Sequence, residues 1–406
     1  MNRPRSESTR NTLSTWLTSE RPIARTIGRP MQRFLHIEES GGIVLLAATV
    51  AALIWANAPG DTYTELWHSE ISVEIAGFEL HEDLVHWVND GLMAVFFFIV
   101  GLEIKREWEV GELVDRRAAM LPAMGALGGM IVPALIFVTM NAGSESVNGW
   151  GIPMATDIAF ALGIIALMGD RIPGSLKVFL LTLAIVDDIG AIVVIAVFYS
   201  EALALGWMTL ALILIVITYA LKRIRVWYLP VYVLLATGIW LAMFESGVHA
   251  TLAGVILGII APTHALNPDL SRAQVEATIT DPALDQTTRT VEAAPLSAAA
   301  SSSVTLGIAA GLVVGKILGI GAAVLITTRM GLARLPGEAS PTQLLGVCAV
   351  AGIGFTVSLF ISDLAYDDQA ILSEAKIGVL MASVVAAALG AVILARARPT
   401  RGVSPR

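Results

Sequence analysis

Apolar blocks of roughly 16 to 23 residues recur along most of this chain, split by short polar or glycine-rich stretches, and that is the length a helix needs to cross a bilayer. Strands are disfavoured, because the blocks lack period-two alternation and are too long for barrel strands. The expected fold class is an all-α polytopic membrane protein. Composition agrees: of 406 residues, 55% are hydrophobic and 15% charged, where soluble domains carry about 25% charged residues. The formal net charge of -8 sits mainly in loops and points to no nucleic-acid partner. A single cysteine, Cys348, lies in an apolar block, so no intrachain disulfide can form. The polar, Arg-rich opening lacks the apolar core and cleavage site of a secretory signal.

Counting Lys and Arg in the loops orients the chain. Arg3, Arg5, Arg10, Arg21, Arg25, Arg29 and Arg33 make 1–33 a cytoplasmic arm. A first span is expected at about 43–58. The loop from Asp61 to Asp83 holds seven acids and no Lys or Arg, so it faces outside. The second span ends in GLEIKRE, and Lys105, Arg106, Arg116 and Arg117 bring the chain back inside. Further spans are expected at about 118–139, 152–169, 178–199, 207–221, 226–243, 247–261, 305–327, 342–362 and 375–395. The acidic DLAYDD after 342–362 reads as an outer loop, and 396–406 as a basic cytoplasmic tail. That makes eleven clear spans, whereas two cytoplasmic ends require an even number. The deficit falls at 262–304, a polar segment with no window apolar enough to insert alone. A twelfth span is marginal or lost there, or else the C-terminal third is inverted against its charges.

Charges at membrane depth carry the functional information, since each costs several kcal/mol to insert. Asp157 stands in GIPMATDIAFALG, Asp187 and Asp188 in TLAIVDDIGAIVVI, and Lys316 in GLVVGKILGI. Consecutive helix residues point about 100° apart, so Asp187 and Asp188 address adjacent sides of one cavity. Close like charges in a poorly solvated site release their protons in coupled steps. Such a pair can hold protons and give them up when a hard cation takes their place. Carboxylate and carbonyl oxygens suit a small alkali ion, whereas one Cys and 6 His argue against a transition-metal cage. Lys316 could pair with one aspartate while the cation site is empty. Simpler roles stand beside these. Lys316 could lock helices by ion pairing, and Asp157 could be an N-cap at a broken span. Glu103, Lys105, Arg106 and Glu107 could be interfacial anchors. His249 in ESGVHATLAG could line the cavity or cap a helix near the outer face. The GALGG run at 125–129 suits close helix packing.

Two motifs hint at non-helical backbone inside spans. GIPMATDIAFALG places Pro153 and Thr156 before Asp157, and AGIGFTVSLF sets Gly352 and Gly354 beside Phe355 and Thr356. Interrupted spans in two corresponding repeats point to a binding site of discontinuous helices near mid-membrane. Asp157 and Lys316 could compensate the partial charges at the broken ends. The two units would be 118–199 and 305–395, each of three spans with its motif in the middle one, running in opposite directions.

In order along the chain, GLMAVFFFIVGLEIKREWEVGEL, GIPMATDIAFALG, LAIVDDIGAIVVIA, ESGVHATLAGVILG, GKILGI and GIGFTVSLFI resemble the NhaA-type sodium/proton antiporters. The likeness runs from about Phe34 to about Ala395. It implies an inverted-repeat antiporter fold with two broken spans: 34–261 holds the first eight spans with the acidic residues, and 305–395 the C-terminal repeat with Lys316. It further implies an inner-membrane exchanger, not an enzyme, that expels Na⁺ or Li⁺ against entering H⁺, electrogenically and under pH control. No resident cofactor is expected, the bilayer is the one surrounding partner implied, and a homodimer is open. By the resemblance, Asp188 is the main cation and proton carboxylate and Asp187 its partner, coupled to Lys316. Asp157 and Thr156 belong at the crossing of the unwound spans, near Thr356 and its neighbours Gly352, Gly354 and Phe355. Glu103, Arg106 and Glu107 belong to a cytoplasmic pH-sensing cluster, and His249 affects the pH response. The chain departs from the pattern at 262–304, where relatives carry a His- and Glu-containing helix start and a further span. A degraded, non-transporting scaffold is the alternative that departure raises. A channel would need no paired carboxylates plus a lysine, and an intramembrane protease would carry its aspartates on separate helices.

Overall fold

Apolar blocks in lipid must satisfy their backbone groups internally, which leaves helices as the available solution for this pattern. A computed structural model bears this out over the residues it describes, namely 60–75, 78–200, 203–226, 228–261, 301–337 and 339–397, with isolated positions between 48 and 58. The Arg-rich arm, most of the expected 43–58 span, residues 262–300 and the tail beyond 397 lie outside the described residues. In chain order the helices are α1 (Thr62–Trp67), α2 (Leu84–Glu109), α3 (Arg116–Met140), α4 (Ile158–Leu167), α5 (Gly174–Phe198), α6 (Leu205–Arg223), α7 (Leu229–Phe244), α8 (Thr251–Ile260), α9 (Ser303–Arg329), α10 (Pro341–Val350), α11 (Phe355–Ala365) and α12 (Gln369–Arg396).

Six of these, α2, α3, α5, α6, α9 and α12, are long and apolar enough to cross a membrane. Two bent pairs bring the number to as many as eight. In one pair a 3₁₀ helix, Glu145–Met154, meets α4 at 44°; in the other α10 meets α11 at 42°. The interrupted spans expected at 152–169 and 342–362 are thus broken where Thr156 and Gly352–Gly354 stand. The expected crossing at 247–261 is shorter than its sequence suggests: α8 has 10 residues, or about 15 Å, against a hydrocarbon core of about 30 Å. Gly247, at φ +78, turns the chain just before it.

One element departs from the all-α expectation. Within the acidic outer loop, β1 (Glu70–Ile75) and β2 (Phe78–Asp83) form an antiparallel hairpin in register Glu70↔Asp83 to Ile75↔Phe78. The sequence carries the signal, since EISVEI and FELH alternate apolar with polar residues. It is short, and so escapes a search for membrane-length blocks.

The main core is enclosed by α2–α5 and α9–α12, with α8 contributing Val255. A smaller cluster joins Ala211 of α6, Ile239, Ala242 and Met243 of α7, and Leu252 and Ala253 of α8. Helix α6 turns Leu212, Ile213 and Val216 outward, as a helix bordered by lipid does. The GALGG run packs as its small residues suggest. Any Cβ on Gly128 would strike the Gly319 backbone of α9, and one on Gly129 would lie 2.9 Å from Ile320 Cγ1. Helices α3 and α9 therefore approach backbone to backbone. Opposite Pro133 of α3, α9 opens into a π-helical turn, Ala310–Gly315, that ends immediately before Lys316. Such turns commonly mark functional positions.

Candidate functional site

Breaking a span strands backbone groups that lipid cannot satisfy. Here the two breaks satisfy each other. Asp157 N–H donates to Ile353 O at 2.6 Å, and Thr156 Oγ1 donates to Ala351 O at 2.9 Å. Further along, Ser358 Oγ of α11 donates to Ile152 O of the 3₁₀ helix at 2.7 Å. Close approach explains the glycines of the second break: a Cβ on Gly354 would come within 3.2 Å of Ala155 O, and one on Gly352 would collide with Leu312 O.

The helix ends meeting at the crossing carry opposite partial charges. Asp157 serves both N-termini. Its Oδ1 accepts from Phe160 N–H of α4 at 3.0 Å, and its Oδ2 accepts from the N–H and Oγ1–H of Thr356 in α11 at 3.1 and 2.8 Å. One carboxylate is therefore the N-cap of two helices. Lys316 answers the other polarity. Its ammonium donates to Met154 O at the C-terminal end of the 3₁₀ helix and to Thr156 Oγ1 at 2.9 Å.

Lys316 also reaches α5, where it donates to Asp187 Oδ2 at 2.6 Å with both side chains fully buried. Asp188, the next residue on α5, is 4% exposed. Among the described residues, Asp187 Oδ1 and Asp188 Oδ1 have no hydrogen-bond partner. Buried polar atoms are almost always satisfied, so an unmet carboxylate oxygen on each of two consecutive residues points to something they take up. A proton or a small hard cation meets that need, and Thr156 Oγ1 sits on the same lysine. The structure thus brings together Asp157, Thr156, Asp187, Lys316, Phe355 and Thr356, with Asp188 adjoining on α5 and Gly352 and Gly354 forming the second break.

The remaining candidates lie elsewhere. Glu103 and Arg106 face each other at 3.8 Å in the last turns of α2, and Glu107 Oε2 accepts from Glu112 N–H at 2.8 Å. Near them, Lys105 donates to Ala261 O and Lys222 donates to Ile260 O at 2.5 Å. Two ammoniums therefore meet the C-terminal carbonyls of α8, where the helix dipole favours cations. His249 lies before the opposite end of α8, with Nε2 against Tyr199 O at 2.5 Å. A carbonyl can only accept, so Nε2 carries the proton. Tyr199 is eleven residues beyond Asp188, about 16 Å along the chain's rise, so His249 does not line the aspartate site. A cavity of about 750 Å³ lies between α2, α6, α7 and α8, is almost wholly apolar, and contains none of the aspartates.

Several polar residues that hold the site escaped the sequence. Tyr199 OH accepts from Gly151 N–H at 3.3 Å and donates to Asn148 O at 2.7 Å. Tyr366 OH donates to Ser146 O at 2.5 Å. Two phenols thus clasp the 3₁₀ half-helix from the ends of α5 and α11. Burial raises the Tyr366 phenol. Asp363 belongs to the DLAYDD run read as an outer loop, but it lies within α11, paired with Lys376 of α12 at 2.8 Å. Opposite charges on both sides of a three-residue connection between apolar runs were the available signal.

The family described as Na⁺/H⁺ antiporter 1 matches residues 32–394. The Na(+)/H(+) antiporter NhaA 3 of Frankia alni is 43% identical over 410 residues, covering 90% of this chain and 88% of that protein. The Na(+)/H(+) antiporter NhaA of Rhodopirellula baltica is 41% identical over 428 residues, covering 94% and 97%. That of Psychrobacter arcticus is 41% identical over 380 residues, covering 90% and 94%.

Proposed function

The chain belongs to the Na⁺/H⁺ antiporter 1 family, and on that premise we propose that it exports Na⁺ or Li⁺ across the bacterial inner membrane in exchange for entering protons. The observation that carries this reading is the fully buried Lys316–Asp187 pair beside Asp188 with its unmet oxygen. Relatives of this similarity carry antiporter names, which speaks for a membrane transporter rather than an enzyme. A degraded scaffold is not favoured, since the crossing, the aspartate pair and the lysine are all in place.

The mechanism is competition for oxygen. With the site open to the cytoplasm, a cation binds Asp188 and Asp187 and displaces the Asp188 proton and the Lys316 ammonium. Lys316 then has Met154 O and Thr156 Oγ1 as its remaining partners. When Lys316 also gives up its proton, two protons leave for each cation bound and the exchange is electrogenic. The occupied site, one charge more negative than the protonated one, passes to the outer side, where protons return to both groups and the cation leaves. Asp157 holds its charge throughout as the cap of α4 and α11, which keeps the crossing intact while its neighbours change state. Each broken span stands between two long helices, α3 and α5 in one case and α9 and α12 in the other. We read these as inverted repeats, with both termini cytoplasmic as the loop charges indicate. Glu103, Arg106 and Glu107 stand with Lys105 and Lys222 where pH could act on α2 and α8, and His249 where it could act on α5.

Everted vesicles from antiporter-deficient bacteria test the reading. On energisation, adding Na⁺ or Li⁺ should collapse ΔpH with the wild-type chain and not with Asp188→Asn. An inserted, abundant wild type that leaves ΔpH unchanged would overturn it.

A further inference from the structure

Asp363 and Lys376 form a second buried ion pair that the exchange mechanism does not use. The two atoms are 2.8 Å apart, with side chains only 10% and 6% exposed. Removing one member of such a pair leaves a buried charge without compensation. Its place in the fold gives it a purpose. Asp363 lies seven residues, two helical turns, beyond Thr356 on α11, and every residue from Phe355 to Ser362 is buried. Helix α11 therefore moves as one rod, and what fixes one end fixes the other. Thr356, at the first end, presents its N–H and hydroxyl to Asp157.

Helix α12 is what α11 is registered against. Lys376 and Ser383 are also seven residues apart, on one face of α12. Lys376 takes Asp363, and Ser383 Oγ accepts from Phe355 N–H at 3.3 Å. The two helices run antiparallel with a polar clasp two turns apart, so a slide by one turn would break both. The same helix also meets α9, which carries Lys316. A Cβ on Gly378 would lie 3.0 Å from Thr305 Cα, and Thr305 Oγ1 donates to Glu374 O at 2.7 Å. Helix α12 thus touches both elements whose relative position sets the site: α9 with its ammonium and α11 with its Thr356 donors.

We propose that Asp363 and Lys376 are positioning residues for the cation site, an outer charge clasp that fixes α11 on α12 and so holds Thr356 against Asp157. They touch no ion. The proposal rests on the antiporter reading, because its consequence is a change in cation affinity.

The test uses the full chain in everted vesicles, with Na⁺ and Li⁺ as probes, and measures half-saturating cation and maximal rate separately. Asp363→Asn and Lys376→Met should each raise half-saturating Na⁺ by about threefold to tenfold, toward the lower range for outer partners of a cation site, with maximal rate per inserted protein retained. The swapped double variant, Asp363→Lys with Lys376→Asp, should return toward wild type. A clasp that merely supports folding would instead lower the amount of inserted protein and leave half-saturation alone. Single variants that insert with unchanged half-saturation overturn the proposal. If the singles fail to insert, the swap decides: near-wild-type half-saturation sustains the clasp, and a swap as impaired as the singles overturns it. A wild type without cation-driven proton movement would instead be a failure of the antiporter reading itself.

Discussion

Replacing Asp157 with Asn probes the crossing at its most heavily loaded atom pair. Three donors converge on this carboxylate: Phe160 N–H on Oδ1, and Thr356 N–H and Oγ1–H on Oδ2. An asparagine offers one acceptor oxygen and one amide donor. If the oxygen keeps Phe160 N–H, the amide faces Thr356, whose hydroxyl can turn to accept but whose N–H cannot. One buried N–H is then stranded, at about 1–3 kcal/mol. The surviving bonds lose their charge assistance, which is worth about 1–2 kcal/mol more. Relief of the carboxylate's own burial offsets part of this, leaving a net loss of about 2–4 kcal/mol. Thr356→Val removes one donor and costs about 1–2 kcal/mol. Both changes act on one contact, so the double variant should cost about 1 kcal/mol less than the sum. Thermal unfolding of the purified full chain in detergent reads the loss, and half-saturating Na⁺ in everted vesicles reads its effect on the site. An Asp157→Asn protein that melts with the wild type and keeps its half-saturating Na⁺ would refute the argument, because a buried N–H cannot lose its acceptor at no cost.

Other consequences can be checked as simply. Gly128→Val forces a side chain against the Gly319 backbone and should destabilise the α3–α9 contact by about 1–3 kcal/mol, read as a lower melting temperature and less folded protein. Asp188→Asn should abolish cation-driven ΔpH collapse at every pH tested between about 6.5 and 8.5, an interval far below any phenol titration, while insertion and melting stay near wild type. Tyr199 OH accepts from Gly151 N–H and donates to Asn148 O, so Tyr199→Phe strands both groups and should lower the melting temperature. The pH midpoint of transport should not move in that variant, because neither hydrogen bond belongs to the aspartate pair.

Much of the site was legible because burying charge in lipid is expensive enough to be visible in one dimension. Asp157, Asp187, Asp188 and Lys316 stand out against apolar neighbours, and the glycines and proline beside them announce interrupted helices. The residues that escaped are those whose meaning depends on a partner distant in sequence. Asp363 looks like a loop acid until Lys376 is set beside it. Tyr199, Tyr366 and Ser358 look like ordinary polar punctuation, yet each holds backbone of the 3₁₀ half-helix.

By itself the sequence determined that the chain is helical, that it lies in a membrane, and which four charged side chains must have a purpose there. Those conclusions follow from transfer costs, which belong to single residues and to the length of a block. The tertiary structure decided the geometry: that Lys316 donates to Met154 O and Thr156 Oγ1 as well as to Asp187, that Asp157 caps two helices at once, and that His249 and the Glu103 cluster sit at opposite ends of α8. A hydrogen bond or an ion pair is a relation between two positions, and only the packing of helices brings those positions within reach of each other.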